Sequence, residues 1–276
     1  MDKTIVSATL PTLDVAVCTM ADGINRFAAT EPPVVEGVRW VVSWQRSAGI
    51  AVPASLAGRE DIVILPCDST GLSNNRNNAL AHTDADIVLI ADDDITYTSE
   101  SLKAVRTAFA QYLEADIITF KVEYPDKDCY PATTCRLHDP LPKGYFLTSP
   151  EMAIRRRAVK SIHFSPMLGI GSADMHSGEE ELVLNTAIRR GLNCRFVPIA
   201  IGKHPAGTTF SGTALPDPVV RGNGCLTRIV YPWTWPLRII LKAWRLHKAG
   251  QMAFGHACRV LLQGAGRAKA VIRGER

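Results

Sequence analysis

The chain has 276 residues, 46% of them hydrophobic and 21% charged, a composition that excludes long-range disorder and fits one large domain with or without an appendage. Its net charge of +4 is uneven, because residues 221–276 carry 11 Lys and Arg against one acid, whereas the remainder has a net charge of −6. The seven cysteines include no C-x-x-C pair, which disfavours a disulfide framework or zinc knuckle and favours the cytoplasm. We expect no secretory signal and no membrane-spanning segment.

Five short apolar runs predict the strands of the first half of the chain. They cover residues 13–20, 39–44, 61–66, 86–91 and 116–122. Continuous apolar runs of this length are typical of strands that are buried on both faces of a parallel sheet. Ser73 and Ser99 are suitable N-caps for helices after the third and fourth runs. The alternation predicts a three-layer α/β domain of the nucleotide-binding kind.

The second half of the chain has fewer periodic positions. Residues 123–150 hold five prolines and are predicted to be a loop region, followed by a strand at 151–154. A helix is expected at 178–190 and a last strand at 196–201. Near the C-terminus, the sequence predicts one helix from Leu237 and a second helical stretch at 251–262.

Three consecutive acids, Asp92, Asp93 and Asp94, directly follow the fourth predicted strand. Ligands bind at the carboxyl ends of strands in open α/β sheets, and adjacent carboxylates there favour a hard cation such as Mg²⁺ or Mn²⁺. A solvated turn whose acids cap the next helix explains the triplet equally well. The triplet alone therefore leaves both interpretations open.

The order of the surrounding motifs favours a ligand site. The motifs are GLSNNRNNAL at 71–80, IVLIADDDI at 87–95, MAIRR at 152–156, LGIG at 168–171, GEEE at 178–181 and finally His204. Over about residues 13–210, this series resembles family 2 glycosyltransferases of the GT-A fold. The resemblance implies an α/β fold with a mostly parallel central sheet flanked by helices.

We expect the catalytic domain to cover residues 1–220, with a donor half at about 1–122 and an acceptor half at about 123–220. Residues 221–276 are expected to form a C-terminal basic, amphipathic helical tail.

The resemblance implies a metal site for Mn²⁺ or Mg²⁺. Asp92 and Asp94 match the ends of the family's D-x-D motif, and Asp94 is the first candidate metal ligand with Asp92 second. Asp93 is the middle position, which is less often a direct ligand and is the member expected to be dispensable. Asp92 and Asp93 are also expected to bind the donor. His204 matches a histidine that completes the metal site after the last core strand.

Four further residues match donor-binding positions of the family. Thr19 lies where the backbone approaches the base or ribose, and Asp68 lies where an acid contacts the nucleobase. Arg76 and Asn77 match an R-N pair beside the donor. For Arg76, contact with the diphosphate and a structural ion pair remain equally weighted alternatives.

The general base is expected in the GEEE segment. Gly178-Glu179-Glu180 resembles the family's G-E-D segment, whose third position commonly supplies the base. That position is Glu180 here, one methylene longer than Asp, and Glu179 is the alternative. Acids also suit the first turn of a helix for electrostatic reasons alone.

The resemblance therefore implies an inverting, metal-dependent glycosyltransferase of the hexosyltransferase type (EC 2.4). It would move a sugar from a nucleotide sugar, UDP-linked by family habit, to a hydroxyl of a lipid-linked glycan acceptor in bacterial polysaccharide synthesis. Two alternatives remain: a sugar nucleotidyltransferase and a non-catalytic membrane-peripheral binding protein. The first would normally have a Gly-rich, basic loop after the first strand, where residues 19–30 hold only Gly23 and Arg26.

The basic C-terminal segment has two interpretations. Leu237, Ile240, Leu241 and Trp244 form an apolar stripe, while Arg238, Lys242 and Arg245 form another. The helices either pack on the core with solvated basic faces, or bind an anionic membrane surface through residues 225–262. The second is favoured and would place the protein on the cytoplasmic face of the cell membrane. No recognisable module predicts binding to nucleic acid.

Overall fold

A computed structural model describes residues 9–124, 130–142, 145, 147–205 and 214–274, which form a central sheet with helices on both faces. The strands are β1 (Leu13–Met20), β2 (Val38–Gln45), β3 (Ile62–Cys67), β4 (Ile87–Asp92), β5 (Ile117–Glu123), β6 (Cys135–Arg136), β7 (Met152–Arg155) and β8 (Cys194–Lys203). The helices are α1 (Gly23–Ala29), α2 (Leu72–Ala81), α3 (Ser99–Gln111), α4 (Arg156–Val159), α5 (Glu179–Arg189), α6 (Asp217–Val230), α7 (Trp235–Lys248) and α8 (Phe254–Gly274).

The described sheet has the strand order β3-β2-β1-β4-β7-β5-β8-β6. β1, β2, β3 and β4 pair in parallel, as do β5 and β8. β7 is antiparallel to both of its neighbours, β4 and β5, and β6 is antiparallel to β8. The predicted mixed architecture with a mostly parallel sheet is confirmed.

The apolar runs became strands because both faces of the sheet are covered. In β1, Val15 and Val17 pack on the face that also buries Phe27 of α1 and Phe109 of α3. The intervening Ala16 packs in a second core on the opposite face, with α2 and α5. Alternate residues of a strand point to opposite faces, so a strand covered on both sides is apolar throughout.

The C-terminal region contains more helix than the sequence predicted. α6 begins at Asp217, where no helix was expected, and α8 extends to Gly274. Leu182 of α5 packs in the same core as Leu226 of α6 and Val271 of α8, so these helices are attached to the sheet domain through α5. The predicted boundary at residue 221 lies inside α6. Within the described ranges, no helix has the length and apolar character needed to cross a bilayer.

Two glycines allow α6 and α8 to approach closely. A methyl group at Gly224 would collide with the carbonyl oxygen of Leu261, and one at Gly264 would collide with that of Arg221. Glycine weakens a helix interior by about 1 kcal/mol relative to alanine. The close contact between the two helices therefore accounts for the presence of glycine at both positions.

Alanine at Gly224 or Gly264 should force the two helices apart. We expect each substitution to lower the free energy of unfolding by about 1–3 kcal/mol, the usual cost of overpacking. Gly266→Ala is the matched control, because Gly266 lies in α8 with Gly264 but has open space around it. Alanine at this position should raise the free energy of unfolding by up to about 1 kcal/mol. Urea denaturation followed by circular dichroism makes the comparison. Unchanged stability in the Gly224 and Gly264 variants would contradict the close approach.

Candidate active site

The candidate site lies at the edge of the sheet where the parallel strands β1 and β4 end. Asp92 is the last residue of β4 and pairs with Cys18 of β1, and Asp93 and Asp94 follow it directly. Ligands of open α/β sheets bind at this edge. The triplet therefore occupies the position that the sequence predicted.

The 165–178 loop brings the start of α5 to the same edge. The Ser73 hydroxyl at the start of α2 donates to the carbonyl oxygen of Leu168 at 2.8 Å, and the Leu72 amide donates to that of Ile170 at 2.8 Å. The loop ends at Gly178, whose φ of 94° favours glycine, and α5 begins at the next residue. The two predicted base candidates, Glu179 and Glu180, are thereby placed beside α2.

Arg76 of α2 connects these elements. Its guanidinium is buried and donates through Nη1 to Oε1 of Glu179 at 2.8 Å and through Nη2 to Oδ1 of Asp92 at 3.3 Å. Burial disfavours the charge, but Asp92, Glu179 and Glu180 outweigh that effect and raise the pKa of Arg76. Of the two roles left open for Arg76, the structure displays the ion pair.

Asn77 anchors the far side of α2. Its Nδ2 donates to the carbonyl oxygen of Phe164 at 2.7 Å, and its Oδ1 accepts from the Phe164 amide at 2.9 Å. The Phe164 ring lies 5.4 Å from the guanidinium of Arg76. The side chain of Asn77 is thus used to hold the loop that supports Arg76, and its predicted contact with the donor stays a prediction.

Asp93 is hydrogen-bonded to two neighbouring elements, and its expected dispensability stays a prediction. Its Oδ2 accepts from the Thr19 hydroxyl at 2.5 Å, and Arg26 of α1 donates to both of its oxygens at 3.0 Å. Burial raises the pKa of Asp93, and the contacts with Thr19 and Arg26 oppose that rise. The Asp93 carboxylate thus joins β1, α1 and the end of β4, a structural role that the sequence analysis missed.

Asp94 faces His204, as the resemblance implied. His204 follows β8, and its Nδ1 lies 2.6 Å from the carbonyl oxygen of Pro205. A carbonyl oxygen only accepts, so Nδ1 carries the hydrogen and the neutral ring has its lone pair on Nε2. That Nε2 lies 3.5 Å from Oδ2 of Asp94. Burial raises the pKa of Asp94, while His204 lowers it and Asp92 raises it further.

Asp94 and His204 fit a divalent ion chemically. Oδ1 of Asp94 is buried without a hydrogen-bond partner, and an imidazole lone pair facing a carboxylate is unfavourable unless a proton or cation lies between them. Carboxylate oxygen and imidazole nitrogen suit Mn²⁺. The described residues contain no cluster of three or more His, Cys, Asp or Glu side chains arranged as metal ligands. A pair of such side chains would hold an ion where phosphates and water complete the coordination shell.

The two glutamates have different surroundings. Glu179 is buried and held by Arg76 through Oε1. Oε2 of each glutamate is enclosed without a hydrogen-bond partner, so the difference lies in the contact of Glu179 with Arg76. Burial raises the pKa of Glu180 well above its ordinary value of 4.5, Glu179 raises it further, and Arg76 lowers it. Glu180 is therefore a carboxyl group with raised proton affinity, and Glu179 forms the ion pair with Arg76.

Asp68 lies apart from this cluster. It is exposed, directly after β3, at the same edge of the sheet as the other strand ends. No contact of its side chain with Arg76 or the triplet is recorded in the described part of the chain, so a role toward the nucleobase stays a prediction. The sequence analysis also missed Arg26 and Tyr124, which contact Asp93 and His204 from distant positions in the chain and have no local sequence signal.

Residues 51–166 match the model of the glycosyl transferase family 2, which is less than half of the chain. The matched segment includes Asp68, Arg76, Asn77 and the Asp triplet, whereas Thr19, Glu179, Glu180 and His204 lie outside it. None of the curated proteins matches the sequence.

Structures of S. aureus TarS share this fold. The 1–349 form matches with a TM-score of 0.59 and 14% identity over 95% of this chain and 73% of that chain. Its complex with UDP-GlcNAc matches with a TM-score of 0.57 and 14% identity over 94% and 73%. A further TarS structure has a TM-score of 0.58 and 14% identity, and covers 93% of this chain but 43% of that chain. At this identity the likeness concerns the fold.

The fold and the arrangement of the strand ends define a GT-A glycosyltransferase architecture. The resemblance to family 2 glycosyltransferases that the motifs predicted is confirmed by the matched segment, and together they indicate that the protein is a glycosyltransferase.

Proposed function

We propose that the protein is a metal-dependent, inverting glycosyltransferase that uses a UDP-linked sugar and a lipid-linked glycan acceptor. The observation that carries the proposal is the Asp92–Arg76–Glu179 contact, which brings the end of β4 and the start of α5 to one edge of the sheet. TarS, which shares the fold, has been captured with UDP-GlcNAc and with UDP. These complexes support a uridine nucleotide sugar as the donor.

On the donor side, the strand ends would receive the nucleotide. Thr19 and Asp68 follow the same edge at the ends of β1 and β3. Asp94 and His204, with Asp92 beside them, would hold Mn²⁺ or Mg²⁺. When bound, the ion would neutralise negative charge that develops on the leaving diphosphate.

On the acceptor side, Glu180 would remove the proton from the attacking hydroxyl. The acceptor oxygen forms a bond to the anomeric carbon as the bond to the nucleoside diphosphate breaks, and the proton passes to the Glu180 carboxylate. This single displacement inverts the anomeric centre. Arg76 orients the site by holding Asp92 and Glu179, and its positive charge stabilises the ionised Glu180 carboxylate before the proton transfer.

A nucleotide-sugar turnover screen tests the donor and the metal. We expect the full chain to release UDP from a UDP-sugar with Mn²⁺ and to lose this activity in EDTA. Asp94→Asn should reduce turnover about 100-fold, because a charged group at the diphosphate is lost. Asp84→Asn is the control, since exposed Asp84 precedes β4 at the opposite edge of the sheet. If turnover persists in EDTA, the proposed metal dependence is wrong. If the protein binds no nucleotide sugar, the proposed glycosyltransferase function is wrong.

Substitution of the two glutamates should separate the base from the ion-pair residue. Glu180→Gln should lower kcat by about 10²–10⁴-fold without loss of stability, because it removes a proton acceptor that lacks a partner at Oε2. Glu179→Gln should instead lower the free energy of unfolding by about 1–3 kcal/mol, because it weakens a charged hydrogen bond. Since the pKa of Glu180 is raised, activity should increase with pH along a limb centred above pH 4.5. Full activity of Glu180→Gln would exclude this base.

We also propose that α7 binds an anionic membrane surface. The predicted apolar stripe of α7 faces outward: Leu237 is 72% exposed, and Ile240, Leu241 and Trp244 are exposed as well. Trp233, which precedes the helix, is 93% exposed. A different face, with Ile239 and Ala243, packs against α6 and α8.

Basic side chains flank this outward stripe. Arg238 and Arg245 are exposed beside it, and Lys248 is exposed with its Nζ 5.2 Å from the Trp244 ring. An exposed apolar stripe with tryptophan and basic residues is typical of helices that lie in a membrane interface. α6 and α8 pack against each other and against the rest of the protein. The proposed membrane-binding surface is therefore smaller than the predicted residues 225–262 and comprises Trp233 and α7.

Point variants on α7 test membrane binding without disturbing the core. Trp233→Ser, Leu237→Ser and Trp244→Ser together should reduce flotation with phosphatidylserine-containing vesicles at least about 10-fold, because buried apolar area drives such binding. Val34→Ser with Leu113→Ser is the control, since both residues are exposed apolar side chains outside α7. Equal flotation of the wild type and the triple variant would rule out this surface.

A further inference from the structure

Glu151 is a fully buried carboxyl group beside the candidate site, and none of the roles above uses it. It ends the short helical turn 149–151 that precedes β7. The antiparallel register pairs Ala153 of β7 with Leu89 of β4. The turn 149–151 that carries Glu151 also contacts β4, the strand that ends at Asp92.

Three donors surround the Glu151 carboxylate. Oε1 accepts from the Tyr130 hydroxyl at 2.5 Å and from the Thr148 hydroxyl at 2.7 Å, and Oε2 accepts from the Thr148 amide at 3.0 Å. Burying a carboxylate is costly unless it is hydrogen-bonded. Burial still raises the pKa of Glu151 to about 7 despite these contacts. Such a costly buried carboxylate is explained if it holds its hydrogen-bond partners in place.

The hydrogen bonds have a defined direction. A threonine hydroxyl has one hydrogen, and that of Thr148 is donated to Glu151. With Glu151 ionised, the Thr148 oxygen accepts from the Tyr124 hydroxyl, which lies 2.8 Å away. Glu151 therefore determines the orientation of Thr148, and Thr148 determines the position of the Tyr124 hydroxyl.

Tyr124 in turn contacts His204. The two rings stack with centroids 5.2 Å apart and an interplanar angle of 29°. The His204 amide donates to the carbonyl oxygen of Glu123 at 2.9 Å, next to Tyr124 in the chain. With Nδ1 bonded to Pro205, the ring is fixed such that Nε2 faces Asp94.

We infer that Glu151 is a positioning residue for His204 and acts through Thr148 and Tyr124. The carboxylate lies outside the reacting groups and sets the plane of the imidazole that faces Asp94. The catalytic meaning of this position rests on the proposed function, whereas the series of contacts itself does not depend on a metal. Substitution of a residue that orients a metal-binding histidine typically lowers metal affinity about 10–100-fold.

Histidine-labelled protein tests the inference in the absence of metal. In ¹⁵N NMR spectra, with His204 assigned through His204→Gln, we expect Glu151→Gln and Thr148→Val to shift or broaden the His204 ring signals. Thr148→Val keeps the side-chain shape and serves as the second variant if Glu151→Gln does not fold. Tyr145→Phe is the control, because it removes a tyrosine hydroxyl whose hydrogen-bond partner is Thr119, outside the series Glu151–Thr148–Tyr124–His204.

Mn²⁺ titration supplies the second measurement. Glu151→Gln and Thr148→Val should weaken Mn²⁺ binding about 10-fold, and Tyr145→Phe should leave it within about twofold. If the His204 signals of Glu151→Gln and of Thr148→Val both coincide with those of the wild type, the inference is wrong. If the wild-type protein binds no Mn²⁺, the metal in the proposed function is wrong, and the NMR comparison still decides whether Glu151 positions His204.

Discussion

The buried guanidinium of Arg76 is the contact on which the geometry of the site depends. It lies between Asp92, at the end of β4, and Glu179, at the start of α5, two segments that are far apart in sequence. A guanidinium has donors in a fixed fork, so it can hold two carboxylates in a defined relative position. Removing one partner of a buried pair leaves an uncompensated charge, which typically costs about 3–5 kcal/mol. The end of β4 and the start of α5 are therefore linked energetically.

The three aspartates of the triplet have three different environments although they are adjacent in sequence. Asp92 faces Arg76, Asp93 faces Thr19 and Arg26, and Asp94 faces His204. The separation relieves the repulsion expected among three adjacent carboxylates, because each has a different source of positive charge or hydrogen bonds. It also leaves Asp94 with a buried oxygen that has no partner, which is why this aspartate is the one suited to an ion.

Sequence patterns predicted the sheet well because its strands are buried on both faces and hence continuously apolar, as in β1 and β4. They placed residues 221–230 in a helical tail without defining α6, because Gly222 and Gly224 argue locally against a helix and are explained by close packing with other segments. The positions of Asp94 and His204 followed from motif order. The partners of Asp93 and the contacts of Glu151 could not be predicted, because they join residues whose proximity is created by the fold.

α7 interacts with both α6 and α5 through its inward-facing side. Its inward Lys242 donates to Asn223 of α6 at 3.2 Å and lowers the pKa of Glu181 in α5, which burial raises. Burial in turn lowers the pKa of Lys242, and Glu181 opposes that effect. Glu181 follows Glu180 directly, so the helix with the outward apolar face is electrostatically coupled to the helix that carries the candidate base. A segment that only tethered the enzyme would need no such contact. The C-terminal helices therefore belong to the structure that holds α5 in place.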